Sequence, residues 1–189
     1  RVFCDVERYE NDAEEPMAAI GMGVLYETTD DGSPLRMVTP QLRESILEEF
    51  YRPYHQKFTG VVAAHLEKYG EARIIDAHSF SDTPFFRDLD QSKGRPDICI
   101  GTDPFHTPTE WIESAEEFFH SKEISLAIDR PYKGSIVPLQ YYKKNNNVKS
   151  IMLEVNRKLY MDEQTTERLA KYNRIKMLVA EFIKRIKLC

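Results

Sequence analysis

Asp76, His78 and Ser79 close the run Ala72-Arg73-Ile74-Ile75-Asp76-Ala77-His78-Ser79-Phe80, which begins as an apolar stretch of the kind that forms a buried strand. In open α/β sheets ligands bind outside the carboxyl ends of strands, so polar side chains at such an end point to a site. Neutral imidazole is the commonest metal ligand, and His78 is the candidate ligand here. Asp76 stands two residues earlier, which on an ideal strand puts both side chains on one face and lets the carboxylate support the imidazole. Taken alone, His78 reads better as a strand-end histidine bonded to backbone. Its company decides the matter.

That company is Glu154 and a set of loop arginines. Glu154 interrupts the apolar run Ile151-Met152-Leu153-Glu154-Val155, and a carboxylate inside such a strand is costly unless it is paired or put to use. The competing reading places it on the exposed side of an edge strand. A neutral imidazole on zinc with a separate carboxylate as general base is the machinery of metal-assisted amide hydrolysis. Arg8, Arg95 and Arg130 lie in turn-like sequence beside Pro, Asp or Glu. Each alone suits a surface ion pair; together they suit an anionic substrate, because the guanidinium fork matches two carboxylate oxygens. Serine nucleophile chemistry fits poorly, since there is no GxSxG elbow and Ser79 directly follows the histidine. A glycine-rich phosphate loop is also missing.

The elements that must position these residues alternate along the chain. Strand patterns cover residues 1–6, 72–78, 97–101, 124–128 and 148–155. Thr39-Pro40 is an N-cap followed by proline at the first helical position, and Leu42, Ile46 and Phe50 repeat at helical spacing as far as Pro53. A second helix follows, with Phe58, Val61, Val62, Leu66 and Tyr69 on one face and Gly70 as its stop. Further helices are expected from Pro108 and over residues 165–188. Residues 16–40 read as a long loop holding a hairpin at the Asp31-Gly32 turn. His55, His65 and His120 read as packed or half-exposed histidines, and Asp103 and His106 as residues of a pocket rim. The alternation implies an α/β domain spanning residues 1–189, with a mixed, mainly parallel sheet and helices on both faces. No helix pattern separates the last two strands, hence the mixed sheet.

Composition narrows the function classes. The chain has 189 residues, 41% hydrophobic and 30% charged, ordinary values for a soluble globular domain. A net charge of −5 leaves no electrostatic footprint for nucleic acid, and Lys184, Arg185 and Lys187 alternate with apolar residues as on a solvated helix face. No run approaches the roughly 18 apolar residues that span a membrane. Cys4, Cys99 and Cys189 are widely spaced without a CxxC pair, which argues against a disulfide framework or zinc knuckle and for reduced thiols in a cytoplasmic protein. Cys4 and Cys99 lie in apolar runs and read as small core residues. The chain opens in strand-like alternation without an initiator Met, as a fragment or processed product would.

Five stretches in order carry a family resemblance: Phe3-Cys4-Asp5-Val6-Glu7-Arg8-Tyr9-Glu10-Asn11-Asp12; Ile75-Asp76-Ala77-His78-Ser79-Phe80; Arg95-Pro96-Asp97-Ile98-Cys99-Ile100-Gly101-Thr102-Asp103; Arg130-Pro131-Tyr132-Lys133-Gly134-Ser135; and Met152-Leu153-Glu154-Val155-Asn156-Arg157-Lys158-Leu159-Tyr160-Met161-Asp162-Glu163. Over these the sequence resembles the N-formylglutamate amidohydrolase family. The resemblance implies a phosphorylase/hydrolase-like fold of the zinc-carboxypeptidase type. It implies hydrolysis of N-formyl-L-glutamate, or another N-acyl acidic amino acid, to the free acid and amino acid, in histidine degradation. In that scheme His78 is similar to the family's zinc ligand and Glu154 to its catalytic glutamate. Arg8 resembles its arginine for a substrate carboxylate, with Arg95, Arg130, Tyr132 and Ser135 as further pocket residues. Family members also carry an earlier His-Ser segment that supplies more metal ligands. The chain is therefore expected to lack an N-terminal segment, or to be a divergent member that binds a carboxylated ligand without turning it over.

Overall fold

Alternating side chains along four strands give a sheet with two unlike faces. The strands are β1 (Ala72–Phe80), β2 (Ile98–Gly101), β3 (Leu126–Ile128) and β4 (Val148–Asn156), in the order β1-β4-β2-β3. β1 pairs parallel with β4 and β2 parallel with β3, while β2 and β4 run antiparallel. The mixed, mainly parallel α/β class read from the sequence is the class observed. The structure, a computed structural model, describes residues 3–188. It contains two compact units: one holds the chain up to Ala64 together with Phe85–Asp88, the other His65–Pro84 and the chain from Leu89 onward.

The sheet belongs to the second unit. One face carries Ile98, Ile100, Ile151, Leu153 and Val155, which pack with Trp111, Ala115, Phe118 and Phe119 of α3 (Thr109–Ser121) and with Ile175, Phe182 and Ile186 of α4 (Tyr172–Leu188). The rings of Phe119 and Phe182 lie 4.8 Å apart between the two helices. Burying each such side chain is worth about 1.5–3 kcal/mol, so this layer is the main anchor of the unit. β4 is central and almost wholly buried, which explains why its sequence reads as a nearly continuous apolar run.

The other face holds the polar set. Register places Asp76, Met152 and Gly101 in one row and His78, Glu154 and Cys99 in the next, so all six side-chain positions share a side. The connection from β3 to β4 crosses this face. Cys99 Sγ donates to Tyr132 O (3.2 Å), Ile136 N donates to Asp76 Oδ2 (3.3 Å) and Ser150 Oγ donates to Ile136 O (2.8 Å). Gly101 permits the crossing: a Cβ there would stand 2.4 Å from Gly134 O.

In the first unit, Thr39 caps α1 (Pro40–Ile46) by accepting from Leu42 N, as its sequence foretells. The expected break at Pro53 is absent. A π-helical turn, Leu47–Tyr51, leads directly into α2 (Arg52–Tyr69), with Arg52 N bonded to Leu47 O. The wider turn accommodates a proline that has no N–H to give and would crowd an α-helical carbonyl. Val62 of α2 is buried, but Val61 and Tyr69 are exposed, so the apolar face expected there is only partly covered. Val24, Leu25, Ile46, Leu47 and Tyr51 form the core of this unit.

Three further expectations shift. Arg1 and Val2 lie outside the described residues, and residues 3–6 form no strand. There the Asp5 carboxylate accepts from Glu7 N and Tyr26 Oη, giving the backbone a local alternative to a ladder. The hairpin survives as the bridge Thr28–Pro34 about Asp31-Gly32, where Gly32 takes φ 84°, and a separate bridge joins Met22 to Tyr26. α4 begins at Tyr172 rather than near Thr165, because the Asp162 carboxylate binds Gln164 N and Thr165 N and Met161 bridges Arg168.

Candidate functional site

Near the carboxyl ends of the parallel pair β1 and β4, His78 and Glu154 stand opposite one another in register. His78 Nε2 lies 2.6 Å from Asp76 Oδ1, and both side chains are largely shielded from water. Asp76 thus serves both the imidazole and, through its second oxygen, the crossing loop. Glu154 is buried, with only 7% of its surface exposed, although it sits in the middle of a central strand. The edge-strand reading of Glu154 is thereby corrected. Ser79 is exposed and points to the opposite side of β1 from His78.

Asp76 and His78 offer an oxygen and a nitrogen donor from one strand, in a sheltered position. These are donor types that zinc accepts, so the pair fits such an ion in kind. A catalytic zinc takes about three protein ligands, and these two are the ones this unit supplies from a single strand.

The loop across the face, residues 129–138, carries most of the other expected site residues. Asp129 opens it by accepting from Thr102 N (2.7 Å) and Thr102 Oγ1 (2.8 Å). Tyr132 packs its ring on Phe80 at 5.8 Å and takes the Cys99 thiol hydrogen bond on its carbonyl. Burial pushes the Cys99 thiol up to about 11, which keeps it a neutral thiol that can donate. The Oγ of Ser135 is buried and has no hydrogen-bond partner among the described residues. Arg130 is exposed, and after the hydrogen bonds from Ser92 its charge helps hold the Asp90 carboxyl below its ordinary range. Arg95, by contrast, is buried, and its guanidinium donates to Ser81 O, Asp90 O and Tyr132 Oη.

Arg8 belongs to the first unit. Its guanidinium lies 3.4 Å from Asp5 and 3.7 Å from Glu15, and its carbonyl accepts from Tyr51 Oη. His106 is not a rim residue. It is buried, Nδ1 donates to Val148 O (2.7 Å) and Nε2 accepts from Lys143 N (2.8 Å), which fixes a neutral ring as a structural bridge. Asp103 binds Phe105 N and His106 N within its own turn. His55 is half-buried on Val6 O, while His65 and His120 are exposed, as ordinary packing or surface histidines are.

Sequence reasoning read Cys99 as a small core residue and missed its place beside Glu154. Only the antiparallel register of β2 on β4 shows that place, and antiparallel pairing between those two strands is not written in either run.

The sequence profile of the N-formylglutamate amidohydrolase family matches residues 1–161. The chain belongs to that family. An N-formylglutamate deformylase from Pseudomonas aeruginosa is 29% identical over 178 residues, covering 87% of this chain and 62% of that protein. The chain therefore spans about three fifths of the length of this curated relative. The crystal structure of an N-formylglutamate amidohydrolase from Ralstonia eutropha superposes with a TM-score of 0.85 at 22% identity, over 98% of this chain and 73% of that one. A gene product of Agrobacterium tumefaciens matches with a TM-score of 0.65 at 14% identity, over 98% of this chain and 68% of that one. At these identities the two structures establish a shared fold for the family member described here.

Proposed function

We propose that the chain forms part of a metal-dependent amidohydrolase that cleaves N-formyl-L-glutamate, with water, to formate and glutamate, the deformylation step of histidine degradation in the cytoplasm. The observation that carries this reading is the buried Glu154 set in register beside His78, itself bonded to Asp76. A carboxylate held in such a place, beside a candidate metal ligand and shielded from bulk water, is positioned to accept and return a proton.

Glu154 takes the proton of the attacking water and passes it to the departing amine nitrogen, so that acyl carbon gains oxygen as the C–N bond breaks. His78 and Asp76 would hold zinc. When bound, that ion supplies polarisation of a carbonyl and acidification of water. Arg130, exposed on the crossing loop, binds a substrate carboxylate with its guanidinium fork. Ser135 Oγ has a donor and acceptors to offer a polar group of the substrate.

The test is formate release from N-formylglutamate by zinc-supplemented protein. Turnover by the wild type that is lost in Glu154→Gln supports the reading. Saturable binding of N-formylglutamate with no formate released would replace it with a carboxylate-binding role.

A further inference from the structure

We propose that Arg95 is a positioning residue: it sets the crossing loop in place over Glu154 through Tyr132, and does not itself bind the substrate carboxylate. The proposal builds on the amide-cleavage reading, but its structural half stands independently of it.

Arg95 is 4% exposed. Nη1 donates to Ser81 O at 3.0 Å, just past the end of β1, and to Tyr132 Oη at 3.3 Å on the crossing loop. Nη2 donates to Asp90 O at 3.0 Å. The guanidinium carbon also lies 5.6 Å from the centre of the Tyr132 ring. One planar cation therefore ties three separated segments, a task for which a rigid fork of donors is suited and a point charge is not. A substrate carboxylate that took Nη1 would have to displace the Ser81 carbonyl, a buried acceptor that would lose its donor, at real cost.

The tie leads on to the polar face. The Tyr132 ring rests on Phe80, and its carbonyl holds the Cys99 thiol. Cys99 is the Cα partner of Glu154. Arg95 thus fixes Tyr132 at its hydroxyl end, and Tyr132 fixes the loop at its backbone, directly above the row that holds the proposed base. On the other side, Lys158 Nζ secures the Arg95 carbonyl (3.2 Å) and the Asp82 carboxylate (2.8 Å), so the main chain from which the guanidinium extends is itself anchored.

The experiment uses Arg95→Lys, Tyr132→Phe and the double variant. Kinetics on N-formylglutamate should show kcat lowered up to about 100-fold in Arg95→Lys, the scale expected when a reacting group is misplaced by roughly 1 Å, with KM changed by less than about threefold. The double variant should be no worse than the poorer single one, because both changes cut the same tie. A KM raised tenfold or more with kcat retained would overturn the proposal. A second measurement needs no activity: the rate at which a thiol reagent labels Cys99, in a Cys4→Ser/Cys189→Ser background. Loosening the loop should speed labelling in Arg95→Lys and Tyr132→Phe, again without additivity. Ile175→Val, in the core on the opposite face, controls for general destabilisation and should leave the rate unchanged. Labelling unchanged in the Arg95 variant, or accelerated equally by the control, overturns the proposal. Wild-type protein that releases no formate defeats the amide-cleavage reading alone, and the labelling result still decides the tie.

Discussion

Glu154 on the central strand β4 is the Cα partner of His78 on β1 and of Cys99 on β2, so a proposed base and a proposed metal ligand are fixed side by side through backbone pairing rather than loop conformation. Strand register is strongly specified when one face is buried, because a slip of one residue exchanges the faces. Here a slip would send Ile151, Leu153 and Val155 away from α3 and α4, which makes the placement of Glu154 a by-product of core packing.

Glu154→Gln should therefore abolish formate release without unfolding the protein. The amide is nearly isosteric and keeps the strand filled, but it cannot accept and return a proton. A fall in kcat of about 10²–10⁴-fold is expected for removal of a general base. The check is a kinetic assay paired with thermal melting; residual activity within threefold of wild type would exclude Glu154 from proton transfer.

Asp76→Asn tests the metal. The carboxylate is 2.6 Å from His78 Nε2, and its replacement removes a negative charge while keeping the shape. With Asp76 a proposed ligand beside His78, its loss should cost at least the roughly 10–100-fold in affinity that follows loss of a carboxylate merely supporting a metal-binding histidine. Zinc titration monitored by a competing chelator should show a weakening of that order, and His78→Ala a larger one. Equal zinc affinity in all three proteins would remove the Asp76–His78 pair from any metal site.

How far the sequence carried depended on whether each signal was local. The apolar runs of β1, β2 and β4 and the N-cap at Thr39 were visible because periodicity and capping are properties of consecutive residues. Glu154 and His78 stood out as polar residues where apolar ones belonged. The role of His106 did not, because its partners Val148 and Lys143 are 42 and 37 residues away. Arg95 read as a turn arginine for a surface ion pair or a substrate carboxylate for the same reason: its acceptors come from the end of β1 and from the crossing loop. The late start of α4 was hidden by Asp162, whose carboxylate satisfies backbone N–H groups that a helix would otherwise have claimed.

Gly101→Ala examines how closely the crossing loop must approach the sheet. A Cβ at this position would meet Gly134 O at 2.4 Å and Met152 Cε at 2.3 Å. The methionine end can swing aside, but the carbonyl belongs to backbone held nearby by Ile136 N on Asp76. Overpacking of this kind costs about 1–3 kcal/mol. A lowered denaturant midpoint, together with faster Cys99 labelling, is expected; unchanged stability would mean that the loop can lift without loss.

His55 gives the first unit a pH dependence of defined direction. Its Nε2 lies 2.8 Å from Val6 O, and the neutral ring donates its proton there. Burial holds its pKa below the ordinary 6.5, outweighing the opposing pull of the Val6 carbonyl and of Glu10. The unfolded chain therefore binds the proton more readily than the folded one across the interval between the two values. Its contribution to stability is full above pH 6.5 and is lost progressively as the pH falls through 6.5 toward the lowered folded value. His55→Gln retains an N–H donor and removes the titration, so the variant should lose less stability than the wild type between pH 7.5 and 5.5. Urea midpoints at those two pH values measure the difference, and parallel declines in the two proteins would show that His55 is not the group responsible.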